Sequence, residues 1–268
     1  MANELSGRTV VVSGATSGIG AATARHLARD GARIVALGRR AKRLERLREE
    51  LGPACHVMAV DVADGAALAR MFAALPPAFA TVDVLINNAG VALGNDKAQD
   101  ADAAKWQAMV DTNIGGVLAL TRLLLPGMVA RDRGDIVNIG SVAGSWPYPT
   151  GNVYGATKAF IRQFTLNLRA DLLGRNVRAI CVEPGTVRTE FAAVRTGSSA
   201  SADAFYGHPN LMYPEDVAEI VAFCLRLPRR VNINMVEAMP LGQAFSAPIF
   251  ADDMAELEPP PHGGGRQA

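Results

Sequence analysis

Cysteine is scarce in this chain: Cys55, Cys181 and Cys224 are three in 268 residues and lie far apart. An odd, scattered set builds no disulfide framework and fits a reducing cytoplasm. Histidine is nearly as rare, and His26, His56, His208 and His262 show no metal-ligand spacing, so no metal site is expected. Neither sign of charge dominates. Lys and Arg number 27 against 26 Asp and Glu, a formal net charge of +1, which argues against the global field of a nucleic-acid or membrane-surface binder. A long unbroken apolar run is also missing. The most apolar stretch, "GGVLALTRLLLPGMVA", is interrupted by Arg122 and Pro126 and is shorter than a bilayer span. The start, "MANELSGRTV", has no basic segment followed by an apolar core, so no secretory signal is expected and the location expected is the cytoplasm.

What is present is an ordinary globular composition, 49% apolar and 20% charged, on a chain long enough for one large domain. Short β-branched runs recur: "TVVVSG", "RIVALG", "HVMAV", "VDVLIN", "DIVNIG", "VRAICVE" and "VNINMV". Most are apolar on both faces, as buried parallel strands are. Helical patterns fill the intervals, over residues 19–30, 41–51, 65–75, 102–130, 153–173 and 214–227. This alternation predicts an α/β fold, a doubly wound parallel sheet with helices on both faces. The domain is expected over residues 1–250. A Ser-, Ala- and Gly-rich covering loop is expected at 186–212, and a loose Pro- and Gly-rich tail at 251–268.

"SGATSGIG", Ser13–Gly20, follows the first strand and opens the first helix. Gly14, Gly18 and Gly20 permit a tight turn and close approach of a pyrophosphate, which a helix N-terminus then favours. The spacing differs from the common dinucleotide fingerprint, but its position between strand and helix points to nucleotide binding. The second strand ends in "ALGRRAKR", with no acid from Ala36 to Leu44 to bond a ribose hydroxyl. Arg39 and Arg40 suit a 2′-phosphate and so favour NADP over NAD, although a solvated basic helix start reads the same way. Asp61, at the next strand end, either accepts from an adenine amino group or caps the following helix. "NNAG", Asn87–Gly90, either ties strand ends together beside a ligand or is a plain turn.

Ser141 ends the fifth strand, Tyr154 follows thirteen positions later, and Lys158 lies four beyond it, on the same helical face. A tyrosine titrates near about 10, and lowering that by roughly 2–3 needs about 3–4 kcal/mol. A close lysine cation is expected to supply much of it. The small residues between the pair are expected to leave room for substrate and ribose. Tyr154 then serves as proton donor or base, Lys158 tunes it, and Ser141 polarises a carbonyl oxygen. Asn113 is expected to anchor a water linking Lys158 to solvent. Such Tyr/Lys pairs are common on helix surfaces, and the neighbouring signals are what single this one out.

With those residues in place, the chain resembles the short-chain dehydrogenase/reductase superfamily. The pieces are "SGATSGIG", "NNAG", Asn113, Ser141, "YGATK" and "EPGTV", with Ser13 where the family usually has Thr. The resemblance implies a single Rossmann-type domain with seven strands and a catalytic set of Asn113, Ser141, Tyr154 and Lys158. It implies NADP held by Gly14, Thr16, Ser17, Gly18, Ile19, Gly20, Arg39, Arg40, Asp61, Val62, Asn88, Tyr154, Lys158, Pro184, Gly185, Val187 and Thr189. A homotetramer or homodimer through the two long helices is implied as well. "GSVAGSWPYPTGNVYGATKAFIRQF", "EPGTVRTEF" and "LPRRVNINMVEAMP" look like the NADP-dependent 3-hydroxy acid dehydrogenases. That group includes serine and allo-threonine dehydrogenases and malonic semialdehyde reductases.

The expected activity is interconversion of a 3-hydroxy acid and its 3-oxo acid or semialdehyde. Sulfoacetaldehyde or general aldehyde and ketone reduction is the alternative on the same machinery, and an NADP-binding sensor is the alternative without chemistry. The substrate belongs outside the carboxyl ends of the strands, under the covering loop. Arg188 and Arg195 in that loop either pair with a substrate acid or are lid charges. Trp146, Pro147 and Tyr148 either shape a small pocket or simply pack.

Overall fold

A computed structural model of the chain describes residues 5–198, 200, 203, 205–245 and 250. The tail expected at 251–268 lies outside the described residues. Seven strands alternate with helices as the pattern of apolar runs predicts. They are β1 (Thr9–Ser13), β2 (Arg33–Gly38), β3 (Cys55–Ala59), β4 (Val84–Asn87), β5 (Gly134–Ile139), β6 (Val177–Pro184) and β7 (Met235–Ala238). They form one sheet in the order β3-β2-β1-β4-β5-β6-β7, and each neighbouring pair is parallel. The order reverses between β1 and β4, where Val12 pairs with Ile86. In open sheets of this kind a crevice forms there, outside the carboxyl ends.

Side chains alternate along each strand and feed two cores. Val10 and Val12 pack with Leu27 of α1 (Gly18–Arg29), Leu44 of α2 (Ala41–Leu51) and Val217 and Val221 of α8 (Pro214–Arg226). Val11 faces the other way, toward Leu68 of α3 (Gly65–Ala73), Leu120 of α5 (Gly116–Ala130) and Leu168 of α6 (Asn152–Asp171). Each fully buried aliphatic side chain contributes about 1.5–3 kcal/mol.

The predicted helix over 102–130 is a single rod with an internal fault. Asp102 accepts from Ala104 N and starts α4 (Ala103–Val110). A π-helical turn, Asp111–Gly115, then joins it to α5. The rod, Ala103–Ala130, has 28 residues and contains an 18-residue stretch with a mean hydropathy of 1.4, which by length and composition alone is enough to cross a membrane. The expectation of too short a span counted only its apolar second half. Within the fold, Val117, Leu120, Thr121 and Met128 of that half are buried.

The amino ends of the strands are closed by a charge cluster. Asp135 on β5 is fully buried and meets Arg178 Nε at 2.5 Å, Arg229 Nη1 at 2.7 Å and the Arg8 guanidinium. Burial pushes its carboxyl up, but the three guanidinium groups outweigh that and hold it below its ordinary value. The opposite, carboxyl ends are left to the cleft.

Candidate active site

A cleft of about 400 Å³ opens over the carboxyl ends of the strands. Its phosphate end is the turn between β1 and α1. Gly14 has φ +68°, and a Cβ there would lie 2.8 Å from Asn88 Nδ2 and 2.9 Å from Ala89 Cα, so only glycine lets this turn touch the end of β4. Ser13 Oγ accepts from the backbone N–H groups of Asn88 and Ala89, both at 3.0 Å, and Asn88 Nδ2 donates to Ser13 O at 2.9 Å. The hydroxyl at position 13 thus stitches two strand ends together. Asn87 Nδ2 continues the stitch to Asn138 Oδ1 at 2.8 Å. Of the two readings of "NNAG", the tie between strand ends is the one observed.

Arg39 and Arg40 both line the cleft, at the start of α2. Arg40 donates to Thr16 Oγ1 and Ser17 Oγ, while Arg39 lies 3.6 Å from Asp61. Asp61 does not cap α3. Asp64 does, accepting from Ala67 N at 2.8 Å, and Asp61 stays at the cleft with one oxygen on Ala63 N. Glycine-turn N–H groups at a helix N-terminus, two guanidinium groups and a carboxylate fit a phosphorylated dinucleotide.

At the other end, Ser141, Tyr154 and Lys158 line the cleft together. Tyr154 and Lys158 are buried on one face of α6 with Thr157 and Ile161. Lys158 Nζ donates to Ile139 O at 2.8 Å and stands 5.9 Å from the Tyr154 ring centre. The expected acidification of the phenol is not observed. Burial pushes the Tyr154 hydroxyl well above its ordinary value, the Tyr148 phenol adds to the rise, and Ser141 and Arg195 oppose it without overcoming it. Burial also pushes the Lys158 ammonium down, to about 8. The phenol therefore carries its proton at neutral pH, the form a proton donor needs.

The small residues between the pair serve packing rather than leaving open space. A Cβ on Gly155 would lie 2.9 Å from Ala143 O, so its bare Cα seats the turn that carries Ser141. Thr157 Oγ1 accepts from Asn113 Nδ2 at 3.0 Å. Asn113 sits in the π-helical turn, with Oδ1 accepting from Val91 N at 2.8 Å and Nδ2 donating to Val91 O at 2.9 Å. It is close to Lys158 all the same: a Cβ on Gly90 would meet Asn113 Oδ1 at 3.4 Å and Lys158 Nζ at 3.6 Å. π-Turns of this kind recur at functional sites.

The covering segment holds α7 (Phe191–Thr196). Phe191 stacks obliquely on Tyr154, ring centres 5.4 Å apart. Arg195 lines the cleft, but its donors are engaged: Nε on Gly94 O at 3.2 Å, Nη1 on Tyr148 Oη at 2.9 Å, Nη2 on Thr150 O at 2.9 Å. Arg188 does not line the cleft and donates to Tyr206 O at 3.0 Å. Trp146 and Tyr148 do line it, while Pro147 does not. Among the remaining predicted residues, Asn113 and Gly20 lie behind the lining. A Cβ on Gly20 would fall 2.4 Å from Gly14 O, so that glycine keeps the turn compact. Sequence reasoning missed Gln243, whose Oε1 accepts from Thr186 N at 2.9 Å, and Glu190, which meets Arg40 and Arg43. Glu190 belongs to "EPGTVRTEF", but neither contact is written in local spacing, because the partners are 57 and about 150 residues away.

The parallel sheet, the glycine turn at its switch point and the Ser/Tyr/Lys group over the strand ends define a nucleotide-dependent oxidoreductase site. The chain belongs to the short-chain dehydrogenase family, whose model matches residues 8–198. Among its relatives, the NADP-dependent 3-hydroxy acid dehydrogenase YdfG of Salmonella typhi is 49% identical over 88% of this chain and 96% of the relative. The serine 3-dehydrogenase of Agrobacterium fabrum is 46% identical over 89% and 96%. A solved structure described as the closed form of serine dehydrogenase complexed with NADP+ matches with a TM-score of 0.88 and 46% identity, over 92% of this chain and all of that one.

Proposed function

We propose that this protein is an NADP(H)-dependent oxidoreductase that interconverts a small 3-hydroxy acid, of the serine, allo-threonine or 3-hydroxypropionate type, with its 3-oxo acid or semialdehyde. The observation that carries the reading is the meeting of Ser141, Tyr154 and Lys158 in one cleft with the glycine turn and the Arg39–Arg40 pair. The names of the similar proteins support the cofactor and the substrate class. The nicotinamide, when bound, supplies or takes up the hydride. In the reducing direction the neutral Tyr154 hydroxyl gives its proton to the substrate oxygen, which Ser141 holds by a second hydrogen bond. Lys158, losing its own proton near pH 8, is suited to restoring the one that Tyr154 gives up, with a water at Asn113 completing the path to solvent. Asn113 also pins the loop after β4 at Val91.

Arg195 supports an acidic substrate through its charge and through Tyr148, whose hydroxyl accepts from it and keeps its own proton to donate. The chain is further proposed to act in the cytoplasm as a homotetramer or homodimer. Leu118 on α5 is 40% exposed, and the stacked Phe160–Phe164 pair on α6 is only partly covered, which supports assembly through the two long helices. The test is a panel of serine, allo-threonine, 3-hydroxypropionate and isethionate with NADP⁺ and NAD⁺, plus malonic semialdehyde with NADPH. Turnover of the carboxylic acids with NADP⁺ is expected. Preference for isethionate would move the reading to sulfoacetaldehyde, and no turnover with any of them would leave a binding protein.

A further inference from the structure

β6 is buried along its whole length, yet it carries a carboxyl, Glu183, with no exposed surface. Glu183 immediately precedes Pro184 and Gly185, which line the cleft, and does not line it itself. A buried carboxyl is costly unless it is well partnered. Asp135, at the other edge of the sheet, has three guanidinium groups on it. Glu183 is held far more loosely. Its Oε1 accepts from the Cys181 thiol at 3.6 Å, its Oε2 makes no hydrogen bond, and Arg162 Nη1 stands off at 3.7 Å. Glu237 pairs with it in register on β7, which adds a second carboxyl rather than a counter-charge. Fold stability alone gives little reason for an acid at this position.

The carboxyl is pressed against the strand end that holds Lys158. A Cβ on Gly140 would lie 2.9 Å from Glu183 Cγ and 3.4 Å from Oε1, so a bare Cα gives the acid its seat. Gly140 follows Ile139, whose carbonyl is the one hydrogen-bond acceptor of Lys158 Nζ among the described residues. The polar groups facing that ammonium are Tyr154 and Arg162 on its own helix, Asn113 in the π-helical turn, and Cys181 and Glu183 on β6, with Glu237 of β7 behind them. Burial pushes the Cys181 thiol up to about 12, so it carries no charge near pH 8. Burial, with Glu237 adding to it, also pushes the Glu183 carboxyl up, while Arg162, the Cys181 thiol and Lys158 oppose the rise. We propose that Glu183 is a positioning residue: its carboxylate, seated over Gly140, is the counter-charge that lets the buried Lys158 keep the proton it passes to Tyr154. Its part in turnover rests on the proton-return role of Lys158 stated above, whereas its hold on the ammonium does not. Arg162 works against it on Lys158, and also donates to Ser145 Oγ in the turn after Ser141.

The chain has only four lysines, Lys42, Lys97, Lys105 and Lys158. Carbon-13 labelling of lysine in the full-length protein therefore gives few ε-carbon signals to follow by NMR, and Lys158→Met identifies one of them by its loss. Glu183→Gln should lower the titration midpoint of Lys158 by about one pH unit, the effect of one charge at close range, and leave the other three lysines unmoved. Glu183→Asp, which keeps the charge, should restore part of that shift. Arg162→Met removes the opposing cation and should leave the midpoint at or above its native value. In the reduction of malonic semialdehyde by NADPH, the high-pH limb of kcat should move down with the midpoint in Glu183→Gln, while KM for NADPH stays within about twofold. An unmoved Lys158 midpoint in Glu183→Gln that still binds NADPH would overturn the assignment. So would a midpoint that moves while the kcat limb stays. Should Glu183→Gln fail to fold, Arg162→Met decides on a partly exposed side chain, and a midpoint falling below the native value would overturn the counter-charge. No turnover by the unmodified protein would sink the oxidoreductase reading, while the NMR titration would still decide what Glu183 does to Lys158.

Discussion

Tyr154 and Lys158 share one buried face and pay no attention to the simple rule that a nearby ammonium acidifies a phenol. Desolvation acts on both and favours both neutral forms. Tyr154→Phe should therefore lower kcat by about 10²–10⁴, while the NADPH dissociation constant, followed by fluorescence, stays within about twofold. Near-normal turnover would remove the proton from this residue. Lys158 carries a stability signature as well. Its folded value of about 8 lies below the ordinary 10.5, so between those limits the unfolded chain binds more protons and stability rises with pH. Below about 8 the cost of the buried charge is present in full. Urea unfolding of the native protein against Lys158→Met should show the difference shifting in favour of the native protein as pH rises from about 8 toward 10.5. A pH-independent difference would mean that the lysine is not held low. The pairing of these two residues was legible in sequence, because i and i+4 spacing is local. Their proton affinities were not, because burial depends on Met109 and Phe191 as well as on the turn after β5, and those two are far from the pair in the chain.

At the scale of elements, α7 is fastened by Arg195 to two loops at once, through Gly94 O after β4 and through Tyr148 and Thr150 after β5. Removing that guanidinium loosens the cover and takes away the charge next to Tyr148. Arg195→Ala should raise KM for carboxylic acids by about tenfold or more, the scale of one hydrogen bond to a charged group, and raise it less for uncharged aldehydes. A uniform rise would reduce Arg195 to a fastening. Apart from α7, which lies where a covering loop was expected, the main helices and strands were predictable to within a few residues, since alternating apolar runs and helical periodicity depend on neighbours in the chain. The π-helical turn at Asp111–Gly115 was not, since it interrupts no apolar pattern. Nor was the choice between Asp61 and Asp64 as the cap of α3, since both acids precede the helix and only the backbone path selects one.

The whole molecule divides its labour between the two edges of the sheet. Carboxyl ends present the cleft, and amino ends are locked by Asp135 with Arg8, Arg178 and Arg229. Asp135→Asn would leave three guanidinium groups around a neutral amide and should destabilise the fold by about 3–5 kcal/mol in urea unfolding. Folded variant should keep its cofactor affinity, because the change is at the far edge. A loss below about 1 kcal/mol would show that the cluster is dispensable. The group also sets an acid limit: with its carboxyl held below 3.8, its contribution is present in full above that value and fades as pH falls through the lowered folded-state value.

By itself the sequence determined the alternation of strands and helices, the glycine turn after β1, and the serine, tyrosine and lysine that line one cleft. Each of these is written in short spacings along the chain, thirteen residues at most for the Ser141–Tyr154 step, where local geometry has little freedom. Tertiary structure alone decided that Gly155 seats the Ser141 turn, that Gln243 meets Thr186, that Glu190 meets Arg40, and that burial raises the proton affinity of the phenol. Those outcomes depend on contacts between distant parts of the chain and on exclusion of water, and neither exists until the sheet has closed over its two cores.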